Sequence, residues 1–547
     1  MPPVVLAPAA QARWKSLLEH LRKAAEQIVQ KKRQRFMGLR KFAELAAKRK
    51  AEAAARKKAE EEEEAAERRR AEMEAARPKR SILALLDLPL PEPRPEAKNF
   101  AEFAEEHFNL NRKGFFKALT TVEKVLQHKT DTIATALLKM PTKELEAQAI
   151  QCFRNVTGFM GDRSSKKEET GHAEKLLRTC QTAPVELRDE VFCQIIKQTT
   201  ANPDAESCRR GWMLLSVVSG AIAPSAEFRP FLLSHIAAAE AAPSSGAGPS
   251  PTVAELARYC LSRVVRISEM PPRVEVPVPA EIEASRNMSA VLMRVYHLDG
   301  TFDTLPVASW VTIGLLKQMV CEKRGITHGA SFGVFEFQPE GDERLLAPAD
   351  RVVELVSYWQ RLADEEKGKG EDTAAAKKAK KKTMGACNFT VFKVHMYFEP
   401  PAEDEPAQHE MFLQAAFDVC HRYPVGPEDA IQLAGLQLQA AAGNKGLKDL
   451  EARVGKFLAP KYCDKERGVD VAAVVAQLKA EHAKHKGKSR QAAEAEYLAV
   501  VKDWKVYGST FWHVEPQMNA ELPEAVILAI NPKGILVIHP TSFEVRF

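Results

Sequence analysis

Few residues in this 547-residue chain have the type and spacing that covalent chemistry demands. Gly487-Lys488-Ser489 ends like a nucleotide-phosphate loop, but that loop needs a glycine five residues before Gly487, where His482 stands. The triplet reads instead as a polar turn ahead of a helix. His482 and His485 share a helical face without a third ligand at metal-binding spacing, and read as solvated side chains. His409-Glu410 lacks the second histidine of a zinc protease. Asp162, Asp189 and Glu190 are the carboxylates an acid–base site would use. Asp189 and Glu190, however, follow a helix start, where capping and the helix dipole account for them. Nine cysteines are scattered, odd in number and without a C-x-x-C pair, which favours reduced thiols over disulfides or zinc. The chain reads as non-enzymatic, with no cofactor and no metal.

The remaining chemistry is charge. Arg163, Lys166 and Lys167 fall in a polar loop, Lys175 and Arg178 on the next helix, and Arg209-Arg210 in another loop. Together they are either a basic face that attracts an acidic protein surface or an ordinary solvated exterior. The net charge of +6 is modest for this length and argues against a dedicated nucleic-acid binder. A chain this long exceeds one hydrophobic core, so three or more domains are expected. No apolar run approaches the roughly 20 residues needed to span a bilayer. The proline-broken N-terminus makes a poor signal peptide, so a cytoplasmic protein is expected.

The elements that position these charges begin with Ala183-Pro184-Val185-Glu186-Leu187-Arg188-Asp189-Glu190 and the apolar spacing Leu187, Val191, Ile195. Asn202-Pro203 ends that helix and Gly211-Trp212 is read as opening the next. This order closely resembles the signature helix of the myosin tail homology 4 (MyTH4) domain of unconventional myosins, as do Met160-Gly161-Asp162-Arg163 and Ala223-Pro224-Ser225. The resemblance implies an all-helical domain over 99–270. Further on, alternation from Ala290 to Tyr296, an Asp299-Gly300 turn, a return strand at Phe302, a helix from Thr312 to Lys323, and strands at Phe332 and Val352 form a ubiquitin-like lobe (288–360). It is similar to the first FERM lobe. Residues 361–387 read as a disordered basic insertion. Tyr423-Pro424-Val425 and Glu428 to Gln439 are very close to the helical FERM lobe, taken as 388–506. Residues 507–547 look like the start of the pleckstrin-like third lobe, incomplete at three or four strands.

Upstream, residues 1–42 form a basic amphipathic helix whose Ile28, Arg33, Phe36 and Arg40 resemble a degenerate IQ motif, the calmodulin or light-chain site of myosin necks. Such a helix can equally lie on a membrane as a peripheral contact or stay solvated. Residues 43–80 carry no large apolar seam; pairs such as Glu52 with Arg56 and Glu64 with Arg68 support a single charged helix, with a disordered linker as the alternative. A proline-rich linker (81–98) follows. The expected fold class is therefore multidomain α+β: an N-terminal charged helix, an all-α tail homology domain, then FERM lobes. The resemblance implies a non-catalytic tail that binds microtubules or the actomyosin cytoskeleton, or receptor cytoplasmic tails, with its motor outside this chain. A motor-less FERM adaptor at the membrane, or the equivalent module of a kinesin-like protein, are the alternatives.

Overall fold

The computed structural model describes residues 98–110, 121–242, 251–338, 343–368, 388–515 and 525–539. The IQ-like helix with Ile28, Arg33, Phe36 and Arg40, the charged helix and nearly all of the proline-rich linker lie outside them. Within them the protein is a multidomain α+β chain. Among the described residues the first domain is helical: α1 (Phe100–His107), α2 (Val122–Leu126), α3 (Lys143–Met160), α4 (Glu169–Gln181), α5 (Val185–Thr199), α6 (Ala205–Ala221), α7 (Arg229–Ala241), α8 (Val253–Ser268) and α9 (Pro279–Arg286). The signature helix α5 runs through its centre, with every residue from Asp189 to Gln198 buried, and packs on α2, α3 and α6. Caps set the ends. Thr142 accepts from Leu145 N at α3, and Thr252 and Glu255 form a reciprocal capping box at α8. Helix α6 differs from expectation: Asp204 caps it by accepting from Glu206 N and Ser207 N, so it opens at Ala205 and Gly211-Trp212 lies mid-helix.

The next lobe is a five-stranded sheet, β1 (Val291–Tyr296), β2 (Phe302–Val307), β3 (Phe332–Phe337), β4 (Glu343–Leu345) and β5 (Phe389–Val394), in the order β2-β1-β5-β3-β4. Helix α10 (Ile313–Arg324) packs on β2 and β3. Two readings are corrected here. Val352 to Leu355 is not a strand but the first turn of α11 (Val352–Gly368), which also takes in the start of the segment read as disordered. Short apolar runs fit either period, and Val352, Val356 and Trp359 supply the helical one. The strand at Phe389 does not open the helical lobe; it fills the middle of this sheet, parallel to β1 and antiparallel to β3. An intervening segment of low hydropathy hid that long-range pairing.

The second lobe is helical, with α12 (Glu405–His421), α13 (Pro427–Ala442), α14 (Val471–Lys484) and α15 (Arg490–Lys502) as its main helices. Ser489 caps α15, which makes Gly487-Lys488-Ser489 the polar turn expected of it. His482 and His485 are buried rather than solvated, and His482 Nε2 meets the Gly443 carbonyl at 3.0 Å. The third lobe contributes β6 (Thr510–Val514), β7 (Val526–Asn531) and β8 (Gly534–Ile538), an antiparallel sheet. Ile527, Ala529 and Ile538 face the common core, while Trp512 and Ile535, 45% and 61% exposed, face away. Among the described residues no helix is long and apolar enough to cross a membrane.

Buried polar groups tie these parts together. Arg263 of α8, 1% exposed, donates to Tyr259 Oη (2.7 Å), Ser285 Oγ (3.0 Å) and Ser309 Oγ (2.7 Å). Its guanidinium lies against Gly220, where a Cβ would fall 1.9 Å from Nη2. Arg273 grips Glu281 through two 2.7 Å bonds and reaches Ser357 Oγ at 2.9 Å. The helical domain and the first lobe are thus joined by side chains that water does not reach. Between the lobes, Arg422 of the second binds both oxygens of Glu343 of the first at 3.0 Å, and Lys393 binds the same carboxylate at 2.8 Å. Burial pushes Lys393 down to about 8.

Candidate functional site

The side chains singled out in the sequence separate into two sets. The first is buried. Asp162 accepts from Ser207 Oγ (2.6 Å) and Gln198 Nε2 (3.0 Å), and meets His128 Nε2 at 3.1 Å. Glu190 accepts from the backbone of Leu137 (2.9 Å) and Leu138 (2.7 Å) and from Gln194 Nε2 (2.8 Å). Asp189 accepts from Ser225 N at 2.8 Å. These carboxylates do not cap α5, as the sequence had implied; each reaches out and satisfies backbone or side-chain donors of another segment. Lys197 does the same with the opposite sign, its amine donating to the carbonyls of Val125 (2.6 Å) and Gln127. Burial raises Glu190 to about 7 and lowers Lys197 to about 8. Every oxygen of Glu190 is already engaged by a fixed donor, so the group holds loops in place rather than moving protons.

The second set is exposed. Arg163, Lys166 and Lys167 lie in the loop between α3 and α4, and Lys175 lies on α4. They surround a buried histidine. His172 accepts or donates at Ser165 Oγ (2.8 Å) and Asn155 Oδ1 (3.4 Å), and its ring packs where a Cβ on Gly158 would lie 2.6 Å away. Burial, then the charges of Arg163, Lys167 and Lys175, push its pKa below 6.5. A hydrogen bond with Lys175, with burial and that amine's charge, lowers Lys167. Three of the cations therefore converge on one ring. None of these four forms an ion pair among the described residues. The other three predicted cations differ. Arg178 pairs with Glu174 at 2.6 Å, Arg209 with Glu206 at 2.6 Å, and Arg210 with Glu206 at 3.1 Å and Glu169 at 3.3 Å. Arg209 and Arg210 also lie in α6, not in a loop. His172 and Gly158 escaped sequence reasoning, because a lone histidine on an apolar face carries no signal of the charges around it.

The MyTH4 domain family matches residues 173–284, the FERM central domain matches 399–512, and an RA-like domain matches 289–384. The chain has the MyTH4–FERM architecture. Its MyTH4 match runs past residue 270 into α9. Unconventional myosin-XVB of Homo sapiens is 23% identical over 81% of this chain, and kinesin-like protein KIN-14I of Oryza sativa subsp. japonica is 26% identical over 78%. The chain spans 13% and 34% of the length of those curated relatives. Among solved structures, the Dictyostelium discoideum myosin VII MyTH4–FERM MF1 domain superposes with a TM-score of 0.64 at 18% identity, over 82% of this chain and 87% of that one. The human myosin 7b C-terminal MyTH4–FERM domain, solved in complex with the harmonin-a PDZ3 domain, gives 0.60 at 20% identity, over 84% and 89%.

Proposed function

We propose that this chain is the cytoskeletal and cargo-binding tail module of an unconventional myosin, and that its MyTH4 domain contacts the acidic surface of microtubules. The observation that carries this reading is the cluster of Arg163, Lys166, Lys167 and Lys175, four exposed cations that form no ion pair among the described residues, beside one buried histidine. Cations already neutralised within the protein add little to long-range attraction. Unpaired ones focus the field and speed encounter with an acidic surface. The module works as a non-catalytic adaptor in the cytoplasm, on the cytoskeleton. Receptor cytoplasmic tails are its second class of partner, through the third lobe, and calmodulin or a myosin light chain occupies the IQ-like segment with Ile28, Arg33, Phe36 and Arg40.

Kinesin-like relatives 26% identical over more than three quarters of the chain support a second reading, the same module in a kinesin-like protein. Both readings predict the same surface. The test is co-sedimentation of the full chain with microtubules and, separately, with filamentous actin over a salt series. Pelleting with microtubules that fades as salt rises is the expected result. Equal pelleting at low and high salt, or none with either filament, removes the charge-based assignment.

A further inference from the structure

A cavity of about 60 Å³ opens at the junction of the MyTH4 domain and the ubiquitin-like lobe. A single water needs about 10–15 Å³ on that measure, so the space admits a molecule of a few heavy atoms. Leu177, Ile222, Met270 and Pro271 give it largely apolar walls, and Arg188, Arg273, Arg351 and Glu275 supply its charges. Two of those charges are already matched. Arg273 is held by Glu281, and Glu275 by Arg361 at 3.0 Å. The other two are not. Arg351 is 4% exposed; its Nη2 donates to the Pro271 carbonyl, and its buried Nη1 has no partner. The buried Nε of Arg188 also has none. Neither arginine forms an ion pair among the described residues. A guanidinium whose donor is shut from water without an acceptor costs free energy that a bound anion would recover.

We propose that this junction is a binding site for a small carboxylate. Its two oxygens would accept from Arg188 Nε and Arg351 Nη1, and a short apolar tail would lie against Ile222 and Met270. A carboxylate fits better than phosphate. With few free donors and apolar walls, the site cannot satisfy the larger number of lone pairs on a phosphate dianion. Because Arg188 belongs to the MyTH4 signature helix and Arg351 to the first FERM lobe, the ligand would bridge the two domains.

The test uses the full chain and propionate as the probe, followed by saturation-transfer NMR at constant ionic strength. Saturable transfer to the propionate methyl is expected. Arg188→Gln, on a partly exposed residue, and Arg351→Gln should each weaken it roughly tenfold, whereas Lys479→Gln, on an exposed residue of α14, should leave it unchanged. Arg351 also holds the Pro271 carbonyl, so intermolecular NOEs from propionate to Ile222 and Met270 in the unaltered chain provide a readout independent of folding. The proposal is overturned by absence of saturable transfer, by binding that survives both arginine substitutions, or by NOEs to other residues. Displacement of propionate by a lower concentration of inorganic phosphate overturns the carboxylate assignment.

Discussion

The buried acids of α5 and the exposed bases around α4 sit in the same domain and do opposite things with charge. Asp189 and Glu190 lie on the most recognisable stretch of the sequence, yet every hydrogen bond they make is internal. Arg163, Lys166 and Lys167 lie in a loop with no periodicity and Lys175 on the exposed side of α4, and all four side chains are exposed. The signature therefore identifies a scaffold, in which a few acids satisfy loop backbones that would otherwise be stranded. In the function proposed above, partner recognition falls to residues that the scaffold holds up but does not use.

That division can be tested from its strongest side first. Glu190→Ala strands the N–H groups of Leu137 and Leu138 and removes one of the two acceptors of the Gln194 amide, which keeps the Ala149 carbonyl, and should destabilise the helical domain by about 3 kcal/mol or more. Hydrogen exchange at Leu137 and Leu138 should accelerate first. Exchange rates unchanged at both positions would show that Glu190 is not their acceptor. A smaller loss, about 2 kcal/mol, is expected for Gly220→Ala, whose methyl would drive the Arg263 guanidinium off Ser285 and Ser309. Urea titration should report it, with faster proteolysis between the MyTH4 domain and the first lobe; an unchanged midpoint would contradict the close packing.

The smallest effect joins the two regions. His172 has a folded-state pKa below 6.5, so between that value and 6.5 the unfolded chain holds a proton that the native chain does not. Its contribution to stability is present above 6.5 and is lost as pH falls through this window. Lys175→Gln removes one of the neighbouring charges, which should raise the His172 pKa and narrow the window. An NMR titration identical in the variant would mean that the lysine does not face that ring.

The helices were legible where spacing was regular: Leu187, Val191 and Ile195 all fall on α5, and Thr312 to Lys323 falls on α10 almost to the residue. The β1–β2 hairpin was legible too, since Asp299 caps its turn by accepting from Thr301 N at 2.7 Å. What escaped depends on residues far apart in sequence. Phe389 to Val394 joins β1 and β3 across nearly 100 and 60 residues, and no local pattern announces that. The basic surface was only half legible. Its seven cations were evident from the sequence, but which of them already had carboxylates depended on Glu169, Glu174 and Glu206 folding next to three of them.

That last distinction gives the most direct test of the account. Two variants of the full chain would be compared by microtubule co-sedimentation at low salt: Arg163, Lys166, Lys167 and Lys175 all changed to glutamine, and Arg178, Arg209 and Arg210 all changed to glutamine. Both should keep the far-ultraviolet circular dichroism of the unaltered chain. The account predicts that the first variant loses pelleting while the second retains most of it, because its cations are already neutralised by internal carboxylates. Equal loss in both variants, or loss only in the second, would contradict it.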